Sequence, residues 1–170
     1  MTKSAFDLFG LDPIFDLDLA QLEKSYFAAQ RQFHPDRLIG KPDAVRQQAI
    51  SQSMLINDAY QTLKNPLKRA QHLLALQHIS VGDEKDAVKP QMAILEEIME
   101  LRELVTQMAT HTNITTLNEE VVKRMDKLMQ ALSRAFSQKD LQNAAQMTIR
   151  LGYLLKIQDE IRIHRKRLEV

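Results

Sequence analysis

His34, Pro35 and Asp36 are consecutive, and an imidazole two residues from a carboxylate is the most suggestive grouping of polar chemistry in this chain. Such a pair can move a proton, and it can equally present a donor, an acceptor and a charge to another protein. Hydrolysis would need more, because nothing nearby supplies a nucleophile, an oxyanion donor set or a cleft-forming fold. The chain has no cysteine, which removes thiolate nucleophiles, disulfides and any Cys-based zinc or iron–sulfur site of its own. His72, His78, His111 and His164 form no cluster with acidic residues at metal-ligand spacing, so they are expected at the surface or at helix ends, with no metal and no cofactor implied. The triplet is therefore either an ordinary helix-ending turn or a docking signal built on a stiff turn.

The elements around it decide how it is presented. Asp18 with Gln21 makes a capping-box-like start to a helix on which Leu22, Tyr26, Ala29 and Phe33 recur at helical spacing, while Lys24, Gln30 and Arg31 lie off that stripe. Proline disfavours a helical residue before it, so this helix ends ahead of Pro35, and Gly40-Lys41-Pro42 completes the loop. Upstream, Phe6, Leu8, Phe9 and Leu11 form a short apolar opening closed by Asp12-Pro13. Downstream, Ala44, Ile50, Met54 and Ala59 to Leu63 belong to a third helix that halts at Asn65-Pro66. Leu67, Ala70, Leu73, Leu74 and Leu76 then suggest a short fourth, and this module ends near Gln77.

Residues 78–89 lack periodicity and are expected to be a linker, with Pro90 opening the next helix. Three helical segments follow, over 91–109, about 117–137 and 139–168, separated by the Thr/Asn-rich stretch Thr110 to Thr116 and by a break near Ser137 to Asp140. The expected architecture is all-α: a helical module over 1–77, a linker over 78–89 and a three-helix antiparallel bundle over 90–170. A composition of 44% hydrophobic and 26% charged residues, with 4 glycines and 5 prolines, suits long helices.

A formal net charge of +1 exerts no general pull on nucleic acid. The basic end Arg162, Arg165, Lys166 and Arg167 lacks interleaved aromatics and complements the dipole of a helix C-terminus. No run approaches the ~18 apolar residues of a membrane span, and Met1 to Ala5 lead into no signal-peptide core. A cytoplasmic protein that binds neither nucleic acid nor membrane is expected.

The helix from Met92 to Met108 carries two apolar stripes. Ile94, Ile98, Leu101, Val105 and Met108 are spaced as a core face. Met92, Leu95 and Met99 lie roughly 100° away on ideal geometry, bordered by Glu96, Glu100 and Glu103. Either both stripes are buried in the bundle, or the second is open as a partner site. Because Glu96, Glu97, Glu100 and Glu103 limit how much of the helix can be buried, a partly exposed Leu95/Met99 patch is expected. Tyr153 on the last helix is either a core-edge residue or a neighbour of Met99.

Over roughly residues 4–77, the helical hairpin, the His34-Pro35-Asp36 loop, the helix Ile56-Asn57-Asp58-Ala59-Tyr60-Gln61-Thr62-Leu63 and the continuation Asn65-Pro66-Leu67-Lys68-Arg69-Ala70 resemble the J domain of DnaJ-type co-chaperones. The resemblance implies that His34, Pro35 and Asp36, helped by Arg31, Lys24 and Arg37, bind a DnaK-type chaperone and stimulate its ATPase. A J domain joined directly to a helical bundle carrying Leu101-Arg102-Glu103-Leu104 resembles the HscB family of iron–sulfur co-chaperones, in the bacterial form without a cysteine-rich zinc segment. That family implies an IscU-like scaffold as client and an HscA-type chaperone as partner. Its scaffold-binding positions would fall on Leu95, Glu96, Met99, Glu100, Glu103 and Tyr153, and Glu96 departs from the apolar residue expected there.

Overall fold

The computed structural model describes residues 3–33, 42–82, 87–108 and 111–168. Within them the chain is helical and without strands: α1 (Ala5–Phe9), α2 (Leu19–Gln32), α3 (Asp43–Lys64), α4 (Pro66–Ala75), α5 (Met92–Gln107), α6 (His111–Ser137) and α7 (Leu141–Leu168). This is the all-α architecture that the sparse glycine and proline lead one to expect. Two compact units divide the chain, Met1–Leu76 and Gln77–Val170.

In the first unit α1 is only five residues long, too short to persist alone, and local bonds hold it. The Ser4 hydroxyl accepts from the Asp7 amide at 3.2 Å, and the Asp7 carboxylate accepts from the Ser4 amide at 2.9 Å. Those Ser4 hydrogen bonds keep the Asp7 carboxyl below the usual range. Gly10, at φ 63°, ends the helix in a left-handed conformation that a side chain would resist. Phe6 is fully buried, and its ring stacks on His72 of α4 at 5.8 Å. The Ala5 amide donates to His72 Nε2 at 3.1 Å, which requires that nitrogen to be unprotonated. Burial depresses the His72 pKa against the opposing pull of Asp7. His72 is thus a half-buried link between α1 and α4, in the last turn of α4, one of the helix-end positions expected of the histidines.

Asp18 caps α2 by accepting from the Ala20 and Gln21 amides at 2.9 and 3.1 Å. Leu22 is fully buried, and three cross-links staple α2 to α3. The Tyr26 and Tyr60 rings stack at 4.1 Å, Tyr26 Oη donates to Asn57 Oδ1 at 3.5 Å, and Ser53 Oγ donates to Gln30 Oε1 at 3.2 Å. Positions rise on α2 as they fall on α3, so the pair is an antiparallel hairpin. Its α3 core face is Ala49, Ile56, Ala59, Tyr60 and Leu63. Ala44, Ile50 and Met54, which marked this helix in the sequence, stand on its exposed side.

Asn65 ends α3 and begins α4, its side chain accepting from the Lys68 amide at 3.1 Å with Pro66 following as first residue. Arg69 turns inward at this elbow. It is 7% exposed, donates from Nη1 to the Leu63 carbonyl at 2.6 Å and lies over the Phe15 ring at 5.2 Å. The arginine therefore ties the segment before α2 to the elbow between α3 and α4.

In the second unit, α7 packs against both α5 and α6, and α5 and α7 run parallel. The Gln91 amide donates to Gln146 Oε1, and Gln146 Nε2 donates to the Lys89 carbonyl, both at 2.9 Å. Arg102 meets Glu160 at 3.1 Å, and His164 Nε2 donates to the Met108 carbonyl at 2.8 Å. These links advance together along both helices. They also make His164, near the end of α7, a half-buried bond to the C-terminus of α5.

Four helix boundaries differ from expectation. Pro90 lies ahead of α5, which starts at Met92 with Gln91 as its N-cap. The helix expected over 91–109 stops at Gln107 and that expected from 139 starts at Leu141. The Thr/Asn-rich stretch is not a separator, because α6 begins at His111. Ile114 at 0% and Leu117 at 4% exposure continue the core stripe through Val121, and that burial outweighs the modest helix propensity of the threonines. At the far end Lys139 takes φ 57°, with the Asp140 amide donating to the Ala135 carbonyl at 2.9 Å and the Lys139 amide to that of Phe136 at 3.1 Å. This is a Schellman turn with lysine where glycine is usual. In the stretch expected to be a linker, Ala87 is buried and the Val88 amide donates to the Ser80 carbonyl at 2.8 Å. Among the described residues no helix is long and apolar enough to cross a membrane.

Candidate partner-binding surfaces

The hairpin positions the first candidate site. α2 ends at Gln32, with the Phe33 amide donating to the Gln30 carbonyl at 3.2 Å, and α3 resumes at Asp43. His34, Pro35, Asp36 and Arg37 fall in the connection between them and lie outside the described residues. Lys24 and Arg31 are exposed on α2, with Arg31 in its last turn. Both stand on the helix that leads into that connection.

The second candidate site is on α5. Its core face is Ile94, Ile98, Leu101 and Val105, all 8% exposed or less, whereas Met108 is the half-buried C-cap. The second stripe is not buried with it. Met92 is 68% and Met99 71% exposed, and Leu95 is half-buried beside them. Exposed methionines on a helix whose opposite face is solid core make an adaptable apolar contact surface. Glu96, Glu100 and Glu103 are exposed along its outer edge. Glu96 and Glu100 make no ion pair among the described residues, and the Glu103 carboxylate accepts from Gln107 Nε2 at 3.0 Å.

Glu97 departs from the wet-face expectation. It accepts from Arg150 Nε at 2.6 Å and Nη2 at 2.7 Å, and from Arg124 Nη1 at 3.0 Å; Arg124 also pairs with Glu120. One carboxylate thus ties α5 to both α6 and α7. Partners 27 and 53 residues away leave no mark in the local pattern, which is why Glu97 looked like its neighbours. By fixing the rotation of α5 about its axis, this node keeps Met92 and Met99 outward.

Burial pushes the Glu97 carboxyl up, but the hydrogen bonds from Arg150 and Arg124 outweigh it and hold the group below its ordinary 4.5. A depressed folded-state pKa contributes stability that is present above the unfolded value and is lost as pH falls through the folded one. Urea unfolding of the whole chain should therefore show a larger loss between pH 7 and pH 3 for wild type than for Glu97→Gln. At pH 7 the variant should be about 1–3 kcal/mol less stable. Equal losses in both proteins would mean that the node carries no pH-linked stability.

Tyr153, on α7, is half-buried, with Lys156 Nζ 5.7 Å from its ring centroid. The links between α5 and α7 join residues 53 to 58 positions apart, which sets Tyr153 level with Leu95 to Glu100. Leu95, Met99 and Tyr153 therefore stand at one height of the bundle.

The family model described as the HSCB C-terminal oligomerisation domain matches residues 90–162. A co-chaperone protein HscB of Proteus mirabilis is 35% identical over 167 residues, covering 96% of each sequence. An HscB homolog of Neisseria meningitidis serogroup C is 34% identical over 160 residues, covering 92% of this chain and 95% of the relative. Among solved structures, chaperone HscB from Vibrio cholerae superposes with TM-score 0.83 at 33% identity, covering 98% of this chain and 99% of that one. Human co-chaperone protein HscB does so with TM-score 0.90 at 27% identity, covering 99% and 84%.

Proposed function

Because this chain belongs to the HscB family of co-chaperones, we propose that it holds an IscU-like iron–sulfur scaffold, delivers it to an HscA/DnaK-type chaperone and stimulates that chaperone's ATPase. The bond hydrolysed is in the partner's ATP, and this chain contributes contacts, not catalytic groups. The observation that carries the client half is the pair of outward methionines, Met92 and Met99, on a helix whose other face is fully packed. With Leu95, Tyr153 and the carboxylates Glu96, Glu100 and Glu103, they give an apolar centre with a charged rim, the anatomy of a protein interface. The chaperone half is assigned to His34, Pro35 and Asp36, with Arg31, Lys24 and Arg37 steering an acidic partner surface.

The two sites act as a tether. A scaffold held by the second unit meets the chaperone as part of one complex, and such linkage strengthens apparent association about 10²–10⁴-fold where the geometry permits both contacts. Maturation of iron–sulfur proteins in the cytoplasm is the proposed setting. The direct test is capture of a purified IscU-like scaffold by the whole chain. Binding is expected. Stimulation of a DnaK-type ATPase without any scaffold binding would instead make the chain a general co-chaperone with a different client.

A further inference from the structure

The charge pattern across the proposed client surface is informative about what that surface fits. On α5 the outer edge is anionic, with Glu96 and Glu100 exposed and making no ion pair among the described residues. The middle of the surface is neutral. Arg102, one turn after Met99, reaches across to Glu160 of α7, with Nε at 3.2 Å and Nη2 at 3.1 Å from Oε1, so these two charges cancel where the helices meet. On α7, Tyr153, Lys156, Glu160 and Ile163 are spaced by three, four and three and share one stripe. Lys156 is exposed, its ammonium held near the Tyr153 ring and otherwise without a charged partner among the described residues. Ile163, 50% exposed, extends the apolar part.

We infer that this surface is bipolar, with an anionic edge on α5 and a cationic edge on α7 at Lys156, and that it fits a partner segment with the opposite polarity. That segment carries basic groups on one side of an apolar ridge and a carboxylate on the other. The inference rests on the scaffold-binding reading and adds a specificity residue, Lys156, to it. A ring-supported ammonium is a partly ordered charge, so less freedom is lost when a carboxylate meets it. Charges of both signs on one face also fix the orientation of the client, since a reversed segment would set like charges together.

The test is the association rate of the whole chain with an IscU-like scaffold at low salt, for wild type, Lys156→Glu, Glu100→Lys and the double reversal. Each single reversal should slow association about 3–10-fold with little change in dissociation. The double reversal conserves net charge and should remain at least as slow. A partner that responds only to net negative charge predicts otherwise: Lys156→Glu would then associate faster and the double reversal would match wild type, and either result overturns the inference. An unchanged melting temperature for Lys156→Glu establishes that the variant is folded. Wild type that binds the scaffold with rates indifferent to all three changes refutes the bipolar fit alone, whereas wild type that does not bind refutes the scaffold reading as well. Concentration-dependent dimerisation that Lys156→Glu abolishes, with scaffold association unchanged, would assign the face to a second copy of this chain and overturn the proposal.

Discussion

Chaperone ATPase stimulation should disappear when His34 is replaced by glutamine, while scaffold binding and helical content stay at wild-type values. Glutamine keeps one donor and one acceptor but loses the planar ring, the second ring nitrogen at its fixed angle and the capacity to carry charge near neutral pH. A docking residue at the centre of a small interface typically costs about 2–4 kcal/mol when its contacts are removed, or about 30–1000-fold in affinity. The folding cost should be small, because α2 closes at Gln32 through its own backbone bond from Phe33. The α2–α3 hairpin is held by Tyr26, Tyr60, Gln30 and Ser53, none of which the substitution replaces. Steady-state ATP hydrolysis by a DnaK-type chaperone, with far-UV circular dichroism beside it, measures both halves. Unchanged stimulation would remove His34 from the proposed site.

The second large effect is expected from Leu95→Ala combined with Met99→Ala, which should weaken scaffold binding by about 2–4 kcal/mol and leave thermal stability nearly intact. Exposure decides this: Met99 is 71% exposed and Leu95 half-exposed, so truncation leaves no cavity at Met99 and a shallow one at most at Leu95. Leu101, two residues on, is the control. It is 1% exposed, and Leu101→Ala should cost about 2–5 kcal/mol of folding stability. Titration calorimetry for binding and thermal unfolding for stability separate the two. A double variant that melts early and binds normally would make Leu95 and Met99 core residues.

Much of this architecture was legible because it follows from local rules. Asp18 marks a helix start by side-chain chemistry and Asn65-Pro66 the halt of the third helix, and both do so here, with Asn65 also capping α4. The stripe Ile94, Ile98, Leu101 and Val105 is periodic and is buried. The neighbouring stripe of Met92, Leu95 and Met99 could not be assigned from periodicity, which says that residues share a face but not whether that face is covered. What the sequence hid depends on residues far apart along it. Glu97 resembles Glu96 and Glu100 until α6 and α7 bring Arg124 and Arg150 to it. His72 and His164 read as surface or helix-end histidines, and only Ala5 and Met108, far along the chain, supply their bonds. The opening turns of α6 have turn-like composition, and only the depth of Ile114 and Leu117 in the bundle makes them helical. Arg69 is a cation by type and a buried clamp by position.

The roles assigned to the two units make different demands on the chain. The first needs a stiff support for a short polar loop, and the stacked tyrosines and side-chain bonds between α2 and α3 supply one. The second needs a helix that is anchored on one face and open on the other. The Glu97 node and the buried stripe anchor it, and the open face is left to methionines that can adapt to a partner.

The most direct test of the central claim, that one chain brings client and chaperone together, is steady-state ATP hydrolysis by an HscA/DnaK-type chaperone with this chain alone, with an IscU-like scaffold alone, and with both. The predicted result is a rate with both that clearly exceeds the sum of the two separate stimulations. A rate equal to that sum, or no stimulation by the chain at all, would contradict it.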